Sequence, residues 1–340
     1  SLHEFPPDEV RDFFRSRGLP DRVEPDGCVF PASDQAVEVR DLLVAEATRL
    51  GARIQYQTKA TEILACDEGF TIHAEDRRIQ ASRVILATGG LSYPQTGSTG
   101  DGYRFARELG HTVIPPKAAL APLVTREKWV NELAGVALAD VKIRTILGKR
   151  ALVVAGNMLF TQRGLGGPAA QDLSRYLTDE LFESHQGIPI EIDILPALDE
   201  METNRLLQKH FQAQAKRTVA NVLSEFVPRQ LSQTLCRIAP CSHDTQAGQL
   251  PSENRRQLVH AIKRLTLTVT AIESIAKATV TRGGVSLAQI DSKTMESKVL
   301  RGLFFAGEVI DVDGPCGGYN LQMCWSTGAL AGRSAARRGE

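Results

Sequence analysis

The sequence predicts an α/β protein whose buried, parallel-type sheet is interrupted by a β-rich subdomain that itself carries a helical insertion. Three observations lead there. Leu303-Phe-Phe-Ala306 is a short, wholly apolar run, as expected of a strand buried on both faces, and it stops at Gly307-Glu308. A second, almost wholly apolar run, Arg83-Val-Ile-Leu-Ala87, stops at Thr88-Gly89-Gly90. Between them Pro115, Pro116 and Pro122 break the pattern, after which short extended segments and then charged helical ones take over.

Composition narrows the class. The chain has 340 residues, 42% of them hydrophobic, with 40 basic and 40 acidic side chains, as suits a globular protein of two or three subdomains. Zero net charge argues against holding nucleic acid by broad electrostatics, so no such partner is expected. No apolar run reaches bilayer length and Ser1-Leu-His-Glu4 is no signal peptide, so no membrane partner is expected either. Six cysteines (28, 66, 236, 241, 316 and 324) make neither a CxxC pair nor a disulfide framework, which fits a reducing cytoplasm. Cys236 and Cys241 lack a second pair at zinc spacing, so no metal is expected.

In chain order, Val10, Phe13 and Phe14 give Pro7 to Arg17 a helical stripe, and Gly18 stops it. Ser33 or Asp34 can cap a second helix running to Leu50. Strands are expected at Arg53 to Tyr56, Ala60 to Leu64, Phe70 to Ala74 and Arg78 to Gln80. The loop Ser92 to Gly102, dense in glycines and hydroxyls, reads either as a cofactor-facing lid or as a long turn capped by Asp101 before a helix to Leu109. It is no P-loop, since the Lys-Ser/Thr is missing. His111, at that helix end, is expected to be solvated or capping.

Extended segments at Leu120 to Val124, Val141 to Leu147 and Ala151 to Ala155 form the β subdomain. Met158 to Pro168 reads as a glycine-rich loop carrying Arg163, before a helix at Ala169 to Tyr176, and Ile188 to Ile194 alternates as a strand. Glu200 to Glu225, Arg229 to Arg237 and Ser252 to Leu265 are helical in period, with Lys and Arg interleaved among Glu and Gln as on a solvated face. Leu265 to Ile272 and Ala276 to Thr281 return to β alternation before Arg282-Gly283-Gly284. The resulting boundaries are 1–114, 115–195, 196–265, 266–290 and 291–340.

The two glycine tips carry the chemistry. Gly307 lets a ligand pass close to the backbone, and Glu308 can accept hydrogen bonds from ligand hydroxyls. Gly317-Gly318 permits a sharp turn into a helix from Asn320, whose first N–H groups and dipole suit an anionic ring edge. That arrangement is a recurrent way to hold a flavin dinucleotide; an ordinary strand-loop-helix crossover would use the same residues. Thr88, Gly89 and Gly90 end a second strand at the carboxyl edge of a sheet, where α/β proteins bind dinucleotides.

Taken together, Ile85 to Tyr103, Leu159 to Pro168, Thr281 to Val285, Thr294 to Lys298, Gly307 to Gly314 and Gly317 to Gln322 resemble the HI0933/YhiN-like (BaiN-related) NAD(P)/FAD-dependent oxidoreductase family along essentially the whole chain. The resemblance implies a glutathione-reductase-type FAD-binding domain interrupted by a β-barrel-like subdomain with a helical insertion. It places Ala60 near the adenine, Thr88 to Gly90 near the dinucleotide, Glu308 on the ribityl chain, and Gly318, Tyr319, Asn320 and Leu321 at the flavin ring. It also implies NAD(P)H as an electron partner. Family members begin with a Gly-x-Gly-x-x-Gly segment that this chain lacks, so the FAD domain is expected to be incomplete at its N-terminus. Gln162 and Gly166 also stand where His and Ser are usual.

The expected function is hydride transfer between a small organic substrate and flavin. Tyr319 and Arg282 are the candidate catalytic side chains, and neither has an assigned role. The rival is an inactive apo fragment or binding module; an RNA-modifying flavoprotein is disfavoured by the neutral charge.

Overall fold

The computed structural model describes residues 3–75, 77–183, 186–242 and 244–337. The chain divides into two compact units, one made of Ser1–Lys117 with Val280–Glu340, the other of Ala118–Thr279.

The first unit begins with α1 (Pro7–Arg15), the hairpin β1 (Asp21–Val23) and β2 (Val29–Pro31), and α2 (Ala36–Arg49). Proline at N1 and Asp8 and Glu9 in the first turn start α1, and Val10 is its buried residue. Helix α2 is not capped by Ser33 or Asp34: its N-cap is Gln35, and the Ser33 hydroxyl donates instead to Glu38 at 2.5 Å.

An antiparallel sheet of β3 (Ala60–Cys66), β4 (Gly69–Ala74) and β5 (Arg77–Ala81) follows. No strand forms at Arg53 to Tyr56. Those residues have the right composition, but a strand exists only through its ladder, and no described neighbour supplies one.

Next come β6 (Val84–Leu86), α3 (Asp101–Glu108) and β7 (Val113–Ala119), the last of which leads into the second unit. After that unit, β14 (Val280–Val285) pairs with β7, then β15 (Leu303–Phe305) and α9 (Tyr319–Ala336) complete the chain. The first unit therefore resumes at Val280 rather than near residue 290, because β14 belongs with β7.

Strands β15 and β6 lie parallel, Leu303 opposite Val84 and Phe305 opposite Leu86. Phe305, Ala306, Val309, Phe105 and Ala331 share one buried cluster around this pair. At about 25 cal/mol per Å2 of apolar surface, each large side chain there stabilises the fold by roughly 1.5–3 kcal/mol. Two strand tips more than two hundred residues apart in sequence are thereby fixed side by side.

The second unit holds a closed antiparallel barrel in the order β10-β11-β8-β13-β12-β9, from β8 (Leu123–Thr125), β9 (Ala137–Leu147), β10 (Arg150–Phe160), β11 (Gly164–Gly166), β12 (Ile188–Asp193) and β13 (Leu265–Ile272). Inward residues alternate as a half-buried strand requires: Val141, Ile143 and Thr145 on β9, Ile188, Ile190 and Ile192 on β12, Leu265, Leu267 and Val269 on β13. Irregular registers between Gly156 and Met158, and between Val269 and Ala271, bend the strands toward closure. Helix α4 (Pro168–Glu183) adds Ala169, Leu173 and Leu177 to the same core.

The helices α5 (Glu200–Ala213), α6 (Val219–Leu223), α7 (Arg229–Ile238) and α8 (Ser252–Lys263) stand between β12 and β13 in sequence. Leu207, Phe211, Leu231, Leu235, Leu258 and Ile262 extend the barrel core rather than making a separate one. Expected as one helix, residues 200–225 divide because Thr218 caps a new start, accepting the Asn221 N–H at 3.4 Å. Met158 to Pro168 is likewise more ordered than a loop: β10 runs to Phe160, β11 follows, and α4 begins at Pro168.

Candidate functional site

The site is built on the adjacent tips of β6 and β15. From β15 the chain enters Gly307, whose φ of +73° only glycine adopts without strain, and delivers Glu308. The Glu308 carboxylate accepts the Thr281 N–H at 2.7 Å and the Gly90 N–H at 3.2 Å. The Ser92 hydroxyl donates to it at 3.4 Å. Three segments, after β6, within β14 and after β15, thus meet on one carboxylate.

A second hydroxyl reinforces the junction. Thr281, fully buried, accepts the Leu91 and Ser92 N–H groups at 2.8 and 3.1 Å and donates to the Ser92 hydroxyl at 3.3 Å. The Thr281 and Glu308 side chains leave no room for a side chain at Gly90, since a methyl there would lie 2.3 Å from the Thr281 hydroxyl. Tyr103, on α3, donates to the Glu308 carbonyl at 3.3 Å, and burial with the Glu308 charge raises its pKa. On the other side the Gly307 N–H donates to Thr327 Oγ1 at 2.9 Å, while burial and Glu308 push the Cys324 thiol up to about 11.

Thr88 differs from these groups. Its buried hydroxyl has no hydrogen-bond partner among the described residues. An orphaned buried hydroxyl costs roughly 1–3 kcal/mol; this one follows the carboxyl end of a parallel strand pair and packs against Gly102 of α3, where an added methyl would lie 2.0 Å from it.

At the opposite flank Gly318, with φ of +89°, is the N-cap of α9. Asn320 does not point its side chain outward: Oδ1 accepts the Gly314 N–H at 2.8 Å and Nδ2 donates to the Gly314 and Pro315 carbonyls at 3.0 and 3.3 Å. What the turn offers a ligand is therefore the backbone N–H groups of the first helical turn and the positive dipole end. Tyr319 and Leu321 flank it with exposed side chains. Arg282 lies 3.7 Å from Asp313, an ion pair that ties β14 to the start of the glycine-rich loop.

Ala60 is the first residue of β3. Its neighbour Lys59 pairs with Asp101 at 3.2 Å, which joins the beginning of β3 to the beginning of α3. Asp101 is not the cap of α3, because that position is Gly100; the Thr99 hydroxyl and Lys59 hold its carboxyl below the usual range. His111 is not solvated. It is buried, its Nε2 sits 2.7 Å from the Ser297 hydroxyl, and its ring meets Phe305 edge-on.

Thr281 and Ser92 are the site residues that the sequence signals did not single out. A polar β-branched residue buried directly before Arg-Gly-Gly was the available sign for Thr281. Cys236 and Cys241 are both buried, with the Cys241 thiol 3.4 Å from the Cys236 carbonyl, and no metal-ligand cluster occurs among the described residues. Among those residues no helix is long and apolar enough to cross a membrane.

As a cofactor cradle the arrangement is coherent: an orphaned hydroxyl, a carboxylate with about one acceptor position of four still open, and unpaired N–H groups at a glycine turn. A dinucleotide with a polyhydroxylated chain and an anionic ring edge fits that donor and acceptor set.

Several known proteins have sequences similar to this chain. A 3-dehydro-bile acid delta(4,6)-reductase of Clostridium scindens is 33% identical over 99% of this chain and 82% of its own. A ribosomal RNA dihydrouridine synthase of Escherichia coli is 31% identical over 86% of this chain and 70% of its own. The corresponding Haemophilus influenzae protein is 33% identical over 89% and 73%. The model of the HI0933-like protein Rossmann domain matches residues 1–334, strand tips, barrel and helices included, and the chain belongs to that family.

Proposed function

We propose that this chain is a flavin-dependent oxidoreductase that moves a hydride between a small organic substrate and FAD, with NAD(P)H as electron partner. The observation that carries the reading is the junction at Glu308, which fixes two glycine tips beside a Thr88 hydroxyl that has no partner among the described residues. Bound FAD supplies the hydride chemistry, which no side chain here offers.

The chain's own residues have positioning and electrostatic tasks. Glu308 orders the tips of β6, β14 and β15 and keeps an acceptor position for a ribityl hydroxyl. The Thr88 hydroxyl and the Gly89-Gly90 backbone take the dinucleotide chain, with the backbone at Ala60 toward the adenine. The first turn of α9, from Gly318 through Tyr319 and Asn320 to Leu321, stabilises negative charge on the ring.

The relatives' names support a substrate class. One is a delta(4,6)-reductase, and dihydrouridine is uridine with two hydrogens added across a carbon–carbon double bond. Both describe reduction of an activated C=C bond, so an α,β-unsaturated carbonyl compound is the substrate we assign. In this reading no nucleic acid is bound.

A second reading, reduction of a uridine in ribosomal RNA, draws on two of the three relatives. The balance of 40 basic and 40 acidic residues works against it.

The deciding experiment is to purify the chain with added FAD, reduce it anaerobically with NADPH or NADH, and follow flavin reoxidation by a conjugated enone or by a uridine-containing ribosomal RNA fragment. Stoichiometric flavin absorbance and reoxidation by the enone are expected. Loss of all flavin on gel filtration would leave only a binding module, and reoxidation by RNA alone would establish the second reading.

A further inference from the structure

We propose that Cys28 and Cys316 form a reversible dithiol–disulfide site, closed by peroxide-class oxidants, that locks the Gly317-Gly318 turn. The β1–β2 hairpin brings Cys28 to this turn: a methyl group on Gly317 would lie 3.6 Å from the Cys28 sulfur, and Cys316 is the residue before Gly317. A disulfide joins residues whose α-carbons are about 4.4–6.8 Å apart, and the Cys28 sulfur lies beside the residue that follows Cys316.

Both cysteines are half-buried and outside any disulfide, so a small oxidant reaches them, whereas Cys236 and Cys241 are buried. Their backbones are held on each side. The Glu24 N–H donates to the Cys28 carbonyl at 2.8 Å, and the Cys28 N–H donates to Asp26 at 2.9 Å. Across the turn, Asn320 pins Gly314 and Pro315. Closure then asks for side-chain rotation between two fixed segments.

The chemistry balances with hydrogen peroxide as oxidant. The Cys316 thiolate attacks one peroxide oxygen, the O–O bond breaks, and the departing hydroxide takes up a proton as water. The Cys28 sulfur attacks the resulting Cys316 sulfenic acid; the S–O bond breaks, the S–S bond forms, and the second water leaves with the Cys28 proton. Two thiols lose two electrons, and one peroxide is reduced to two waters. Burial and the Asp26 carboxylate raise the Cys28 pKa, which disfavours Cys28 as the first attacker on peroxide.

The consequence for cofactor binding rests on the flavin reading, since the locked turn is the one assigned to the ring; the cross-link itself does not. To test the pair, the full chain with FAD added is titrated with peroxide until exposed Cys66 reacts, blocked with iodoacetamide and digested without reductant. Mass spectrometry should find Cys28–Cys316 at least tenfold above any other pairing, absent after dithiothreitol and in Cys316→Ser. Recovery of Cys28 and Cys316 as blocked thiols or sulfinic acids overturns the proposal, as does a dominant Cys316–Cys324 link. Flavin absorbance of the same samples separates the two ideas: a chain that cross-links without holding flavin overturns only the cofactor reading.

Discussion

Two buried groups in the first unit set local energetics in opposite ways. Thr88 keeps a hydroxyl without a partner among the described residues, so removing it relieves a penalty. Thr88→Val should raise the urea stability of the flavin-free chain by about 1 kcal/mol and lower its flavin affinity, about tenfold if one hydrogen bond is lost. A variant that retains flavin like the wild type would remove Thr88 from the cofactor site.

His111 behaves differently. Burial lowers its pKa, and the carbonyls of Ala106 and Leu109 offset part of that effect. The folded chain therefore keeps the imidazole neutral where the unfolded chain, with a pKa of about 6.5, already binds a proton. Below that pH the unfolded state gains protons that the folded state refuses, so stability falls as pH drops from about 6.5 and levels off below the folded pKa. His111→Gln keeps an acceptor for Ser297 and removes the titration. Unfolding midpoints at pH 7.5 and 5.5 should therefore differ less in the variant than in the wild type.

At the scale of elements, helix α5 shows how a few residues define a start. Asp199 accepts the Glu202 N–H at 2.7 Å and the Glu202 carboxylate accepts the Asp199 N–H at 2.8 Å, a reciprocal capping box. Asp199→Ala should cost about 1 kcal/mol, read as a lower Tm, and Asp199→Ser should restore most of it.

Elements with such self-contained signals were legible in the sequence. Leu303 to Ala306 and Val84 to Leu86 are apolar runs stopped by glycine, and the structure pairs them. Strand β11 was not legible, because Gly164-Leu165-Gly166 has little strand propensity; it is a strand because β10 and β8 both need a partner there. Arg53 to Tyr56 is the reverse case, with strand composition and no ladder. The same distinction governs the site. Glycines and Glu308 announce themselves locally, but the Glu308–Thr281–Ser92 network joins positions up to 216 residues apart, which no window of sequence can display.

Over the whole molecule, the second unit has what an autonomous domain requires. Its barrel closes on itself, leaving no open sheet edge, and barrel, α4 and α5–α8 share one buried core. The two ends of the unit are also tied together, since the Thr279 N–H donates to the Leu120 carbonyl at 3.1 Å. A polypeptide of residues 118–279 thus starts and finishes beside its own hydrogen bond, and cutting there severs β7 only at its last residues. Expressed alone, it should unfold cooperatively in urea, with an m-value on the order of 1–3 kcal/mol per M, as for a single domain. It should also bind no FAD, because Thr88, Glu308 and the Gly317-Gly318 turn all lie in the first unit. Non-cooperative melting would mean that the barrel depends on the first unit for its core. Flavin binding by the fragment would move the cofactor site away from the two strand tips.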